Sequence, residues 1–193
     1  MNSGDVIMLL RRHYRMDIER PGSLRPPTSI LATEVCSPDG SRRADAIWAT
    51  ATMSGPPLLI GHEIKVSRAD VLSELRKPDK AEAWAPYCNE WWLTLSDASL
   101  ADGLDIPSAW GIMAPPSGRR TRSMTIVRPA AHQEPVNSAA AWRNVLAWLS
   151  YRTHAPTLPP SSRERGSSPA KVVQDRRLES ADETDLSDDR GTG

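Results

Sequence analysis

Glu63-Ile64-Lys65 lies near the end of a strongly apolar run, Leu58 to Val66, and places an acid and a base two residues apart. In an extended strand alternate side chains share a face. Ile60, Ile64 and Val66 then point into a core while Glu63 and Lys65 project together on the other side. Alone, such a triplet also reads as a salt bridge on a solvated edge. Asp45 changes its meaning. It stands in the preceding extended segment, between Arg42-Arg43-Ala44 and Ala46-Ile47-Trp48, and an antiparallel return brings it beside Glu63. Two carboxylates and a backbone carbonyl, that of Ile64, then make a partial oxygen cage for Mg²⁺ or Mn²⁺. Such a cage leaves water on the ion, as phosphodiester hydrolysis requires, because the ion stabilises phosphate charge and acidifies a bound water. Lys65 can orient or deprotonate that water and offset developing negative charge. The competing reading of Asp45 is a hairpin-terminal residue paired with Arg43.

These residues need a meander to position them, and the sequence provides one. Strands are expected over 29–36, 42–50 and 58–66, the first two joined by the turn Ser37-Pro38-Asp39-Gly40, with Pro at its second position and Gly at its fourth. Val6, Met8, Leu9 and Leu10 predict a short amphipathic helix before them. Ser67-Arg68-Ala69-Asp70 has the form of a helix start, so a helix should run from there to about residue 76 and break before Pro78. A second helical piece is expected over 79–85, short strands over 91–95, 109–113 and 124–127, and a closing helix over 138–151. The fold class is therefore α/β: helix, three-strand antiparallel meander, helix, further strands, C-terminal helix.

Composition bounds the rest. The 193 residues carry 24 basic and 24 acidic groups, so no global field announces a partner. No apolar run approaches the roughly 20 residues of a membrane helix, and the N-terminus lacks the features of a signal peptide. Two cysteines, Cys36 and Cys88, are too few for a disulfide scaffold, and the four histidines lack metal-ligand spacing. A cytoplasmic protein is expected. Residues 1–154 read as one domain. Residues 155–193 have sparse, aperiodic hydrophobics and an acidic stretch from Glu179 to Asp189, and are expected to be a disordered tail. The chain writes its cations as 20 arginines and only four lysines. A retained lysine therefore invites a reason in its own chemistry.

Arg42-Arg43-Ala44-Asp45-Ala46, followed by Gly61-His62-Glu63-Ile64-Lys65-Val66-Ser67-Arg68-Ala69-Asp70, resembles the PD-(D/E)XK nuclease superfamily. More narrowly it is similar to MmcB-like DNA-repair proteins and their phage relatives. The resemblance spans about residues 34–115 and includes Lys80, Tyr87 and the segment 91–95. It implies a restriction-endonuclease-like core and a Mg²⁺- or Mn²⁺-dependent deoxyribonuclease acting in repair, recombination or phage DNA processing. Asp45 and Glu63 would be the metal ligands and Lys65 the catalytic lysine, with Glu34 corresponding to an additional acid. Ala44 stands where the superfamily name has Pro, which leaves the ligand itself intact. The alternative is a catalytically silent nucleic-acid-binding accessory module on the same fold. DNA is the expected partner, with monomer and homodimer both open.

Several residues keep two readings. Asp70 is either a helix cap or a residue that orients the site. Arg43, Arg68 and Lys80 are candidate DNA contacts set against ordinary solvated cations. His62 reads more readily as a packed histidine than as a general base. Trp84, Trp91, Trp92 and Trp110 read as core before base-stacking platforms, although one of Trp91 and Trp92 should face away from the core. Arg119, Arg120 and Arg122 cluster in a loop that is either a backbone-phosphate contact or a hairpin tip.

Overall fold

Asn2 starts the first helix. Its side chain accepts the Asp5 N–H at 2.9 Å, and the Asp5 carboxylate accepts the Asn2 N–H at 2.8 Å. This reciprocal cap satisfies two donors at the end of α1, Ser3–His13. Arg11, Arg12 and His13 sit in its last turn, where cations complement the helix dipole. The computed structural model describes residues 1–16, 29–50, 56–77, 81, 83–118 and 123–154. The expected tail over 155–193, Asp79, Lys80 and Glu82 of the expected helical piece over 79–85, and Arg119, Arg120 and Arg122 lie outside the described residues.

After α1 come β1 (Ser29–Cys36), β2 (Arg43–Thr50), β3 (Leu58–Lys65), α2 (Arg68–Leu75), β4 (Glu90–Leu95), β5 (Gly111–Ala114), β6 (Thr125–Arg128) and α3 (Ser138–His154). A single 3₁₀ turn, Ala85–Tyr87, precedes β4 and another, Ala98–Ala101, follows it. The six strands form one sheet in sequence order. β1, β2 and β3 are an antiparallel meander. The crossover through α2 makes β4 parallel to β3, β5 continues parallel, and β6 turns back antiparallel.

The turn after β1 forms as its residues suggest. Gly40 takes a positive φ of 74° and donates its N–H to the Ser37 carbonyl at 2.9 Å. Asp39 stiffens it by accepting from Ser41 N–H at 3.0 Å and from the hydroxyls of Ser37 and Ser41. The fifth strand starts at Gly111, not at residue 109, because Trp110 donates its N–H to Pro107 in a turn.

Helices cover both faces of the sheet. On one, Val6, Leu9 and Leu10 of α1 pack on Leu31, Ala46, Ile64, Trp92 and Met113. On the other, Ala141 and Val145 of α3 meet Ala32, Ile47, Leu59 and Trp91, while Val71 of α2 covers Leu93, Leu95 and Ile112. This corrects one expectation. Trp91 and Trp92 point to opposite faces, yet both are buried, at 4 % and 5 % exposure, because neither face is left to solvent.

Each of these indoles is accommodated by a glycine on the neighbouring strand. Trp91 is the register partner of Gly61, and Trp92 of Gly111. A Cβ on Gly61 would lie 2.3 Å from the Trp91 ring, and one on Gly111 would lie 2.3 Å from Trp92. The two glycines thus leave room for the large rings beside β3 and β5.

Candidate active site

Backbone pairing between β2 and β3 runs from Thr50↔Leu58 to Ala46↔His62. Beyond that pair a side chain continues the link: Ile64 donates its N–H to Asp45 Oδ2 at 2.7 Å. β3 ends two residues after Glu63, at Lys65. Ser67 then caps α2, its Oγ accepting the Asp70 N–H at 3.2 Å and donating to Asp70 Oδ2 at 2.6 Å. The turn between strand and helix folds α2 back over the end of β3. A cleft of about 250 Å³ opens there, lined by Glu34, Asp45, Lys65, Asp70 and Glu74 among others.

Glu63 and Lys65 share a face and are in contact, each with its side chain 12 % exposed. Lys65 also meets a residue that no sequence motif marked: Glu74 Oε2, 3.0 Å from its Nζ. Burial works to lower the Lys65 pKa, but the carboxylates of Glu63 and Glu74 outweigh it and hold the group above its ordinary value. Lys65 is thus an ammonium at neutral pH, equipped to stabilise negative charge. That arrangement favours the electrostatic role over proton abstraction. Glu63 shows the reverse balance. Desolvation, followed by the Asp45 charge, pushes it up to about 7 against the opposing pull of Lys65. Asp45 is also raised, chiefly by burial and against its hydrogen bond from Ile64.

Glu34 lies on β1, as a strand residue, and reaches the same cleft. It stands between the pairs Thr33↔Ala46 and Val35↔Ala44, opposite Asp45, with a left-handed φ of 55°. Such a backbone costs a non-glycine residue roughly 1–2 kcal/mol. Asp70 belongs to the cap of α2 and its side chain also lines the cleft. Arg43 is exposed at the start of β2. Arg68 is turned elsewhere: its guanidinium donates to the carbonyls of Ser99, Leu100 and Asp102, and so fastens the loop after β4 to α2. Among the described residues, no three His, Cys, Asp or Glu side chains are gathered closely enough to hold a metal ion.

His62 is packed, with 0 % exposure. Its Nε2 lies 2.8 Å from Tyr14 Oη and its Nδ1 2.9 Å from Thr94 Oγ1, so the ring ties α1 and β4 to β3 immediately before Glu63. Burial, with a smaller contribution from His13, pushes its pKa down to about 3. The fold therefore holds His62 neutral, whereas the unfolded chain protonates it below about pH 6.5. Stability contributed by His62 is present above that pH and drains away as the pH falls, by up to about 1.4 kcal/mol per unit. Glu63 opposes this trend, because its raised pKa favours folding on acidification, so the His62 effect must be read as a difference. Urea unfolding of wild type and His62→Gln should show a stability gap that is widest near pH 7.5 and narrows toward pH 5. A gap independent of pH would show that His62 takes up its proton as readily in the fold as in the unfolded chain.

No family model matches the sequence, and no curated protein matches it. Among solved structures, the SPO1766 protein of unknown function from Silicibacter pomeroyi is similar, with a TM-score of 0.55. The match covers 80 % of this chain and 89 % of that one at 17 % identity. The likeness is one of fold. No described helix is long and apolar enough to cross a membrane.

Proposed function

We propose that the protein is a divalent-cation-dependent nuclease that hydrolyses DNA phosphodiester bonds on a PD-(D/E)XK core. The observation that carries this reading is the convergence of Asp45, Glu63 and Lys65 at the end of β3, with Lys65 held as an ammonium. The order helix α1, antiparallel meander β1-β2-β3, helix α2 and further strands supports it, since that is the order expected from the sequence.

The donor chemistry suits a hard cation. All the ligand atoms offered are oxygens, and the raised pKa values of Asp45 and Glu63 mark carboxylates whose negative charge lacks sufficient compensation. Asp45, Glu63 and the Ile64 carbonyl would hold Mg²⁺ or Mn²⁺, which when bound supplies phosphate charge neutralisation and an acidified water. The chain's own residues supply the rest. Glu34, Asp45, Asp70 and Glu74 make the bare cleft repel a phosphodiester, so DNA should enter only with the cation. Lys65 presents its ammonium beside the two ligand carboxylates, where it can stabilise charge that develops on the phosphate. Nothing in this role requires Lys65 to lose a proton.

Plasmid and single-stranded DNA incubated with Mg²⁺ or Mn²⁺ should be cut, and EDTA should abolish cutting. Mn²⁺ titration calorimetry should show weak binding that Asp45→Asn removes. Because Glu63 must be ionised to serve as a ligand, affinity should fall as the pH drops below about 7. Unchanged Mn²⁺ binding by Asp45→Asn would remove Asp45 from the ligand set. Intact DNA after incubation, together with clear Mn²⁺ and DNA binding, would favour the silent accessory module.

A further inference from the structure

Glu74 belongs to no motif, yet it is buried to 1 % exposure, on the inner side of α2. Helical spacing places it three residues after Val71 and one before Leu75, both of which pack in the cluster beneath the helix. An apolar side chain would ordinarily occupy such a position, because a buried carboxylate is costly unless it is paired. Its Oε2 lies 3.0 Å from Lys65 Nζ. Lys65 therefore has two carboxylate partners, one from its own strand and one from the helix that follows.

These partners are not equivalent. Glu63 faces two demands, since it pairs with Lys65 and lies next to Asp45, whose charge helps to raise its pKa. Glu74 sits on α2, anchored through Val71, Leu93 and Leu95. We propose that Glu74 is the positioning residue for Lys65, holding the ammonium in place when a divalent cation draws Glu63 toward Asp45. This inference rests on the cation reading given above. Lysine has a flexible four-carbon stem that a single competing contact does not fix. Glu74 supplies a contact that the cation does not contest, so Lys65 keeps its place in the loaded site.

The lysine content makes this testable without an activity assay. The chain has four lysines, Lys65, Lys77, Lys80 and Lys171, so side-chain ¹⁵N NMR of the full chain gives at most four ammonium resonances. Only sheltered, hydrogen-bonded ammonium groups exchange slowly enough to be seen, which favours Lys65. Its resonance, assigned by its loss in Lys65→Met, should persist in wild type with and without saturating Mg²⁺. In Glu74→Gln it should be visible without Mg²⁺, when Glu63 holds the lysine, and broaden away when Mg²⁺ is added. In Glu63→Gln it should survive both conditions, because Glu74 remains; this arm stands even if Glu74→Gln does not fold. Plasmid cleavage by Glu74→Gln should lose roughly 10-fold or more in kcat, with KM for DNA and Mn²⁺ affinity within about twofold. A Lys65 resonance that persists in Mg²⁺-loaded Glu74→Gln, or vanishes in Glu63→Gln, overturns the proposal while leaving the cation reading intact. If backbone amides around Asp45 and Glu63 fail to respond to Mg²⁺ in wild type, the cation reading falls and this proposal with it.

Discussion

Lys65→Met should lower DNA cleavage by roughly 10²-fold or more, the scale expected when a positioned charged group is lost from a reacting centre. Metal binding should move the other way. Lys65 competes with the cation for Glu63 and repels it as a like charge, so Mn²⁺ affinity should hold or rise slightly in the variant. DNA binding in Ca²⁺ should weaken only modestly. Glu63→Gln gives the contrasting pattern, with metal binding and cleavage falling together. The two variants separate because Glu63 is a ligand in this scheme and Lys65 is not. Plasmid nicking and Mn²⁺ calorimetry on the same preparations make the comparison, with circular dichroism to establish that both fold. Substantial cleavage by Lys65→Met would reduce the lysine to a salt-bridge partner, and the nuclease reading would lose its central support.

Gly61→Ala should be among the most damaging single methyl additions in the protein. The new Cβ would stand 2.3 Å from Cε3 and Cζ3 of Trp91 and 3.0 Å from Cys88 Sγ. Trp91 is 4 % exposed and Cys88 fully buried, so neither has open space to retreat into. Overpacking of this kind costs about 1–3 kcal/mol and occasionally more, which corresponds to a fall in melting temperature of roughly 2–12 °C for a domain of this size. Because Gly61 is two residues from Glu63, the displaced strand should also impair cleavage at temperatures where the variant remains folded. Combining Gly61→Ala with Trp91→Leu should recover part of the loss, which a double-mutant cycle would measure. A melting temperature within a degree of wild type would mean that the ring does not lie against the glycine.

The meander was legible because its signals are local. Ser29–Cys36 falls on the expected residues, β2 and β3 each differ from expectation by one residue at one end, and Ser67 caps α2 as its sequence suggests. The alternation that separates Glu63 and Lys65 from Ile64 needs only the period of a strand. Glu74 was not legible. Its meaning arises from the angle at which α2 returns over β3, and a glutamate in an eight-residue helix otherwise looks like a solvated one. Two tryptophans side by side likewise gave no sign that both faces of the sheet are covered, since α1 and α3 are brought there by contacts distant in sequence. Lys65 stands out in the sequence through its neighbours, but the second of the two carboxylates that raise its pKa, after Glu63, is that same unmarked glutamate.

Arg68 and Arg128 perform the same task in different places. Arg68 reaches the carbonyls of Ser99, Leu100 and Asp102, and Arg128 those of Ile106, Pro107 and Trp110. An arginine engaged in this way keeps its charge but turns its donors toward the protein, away from any polyanion outside. The salt dependence of DNA affinity counts the ions displaced where cations touch phosphates. Its logarithmic slope should therefore be shallower than the arginine content suggests, and neutralising Arg128 should leave that slope nearly unchanged while loosening the segment that leads into β5.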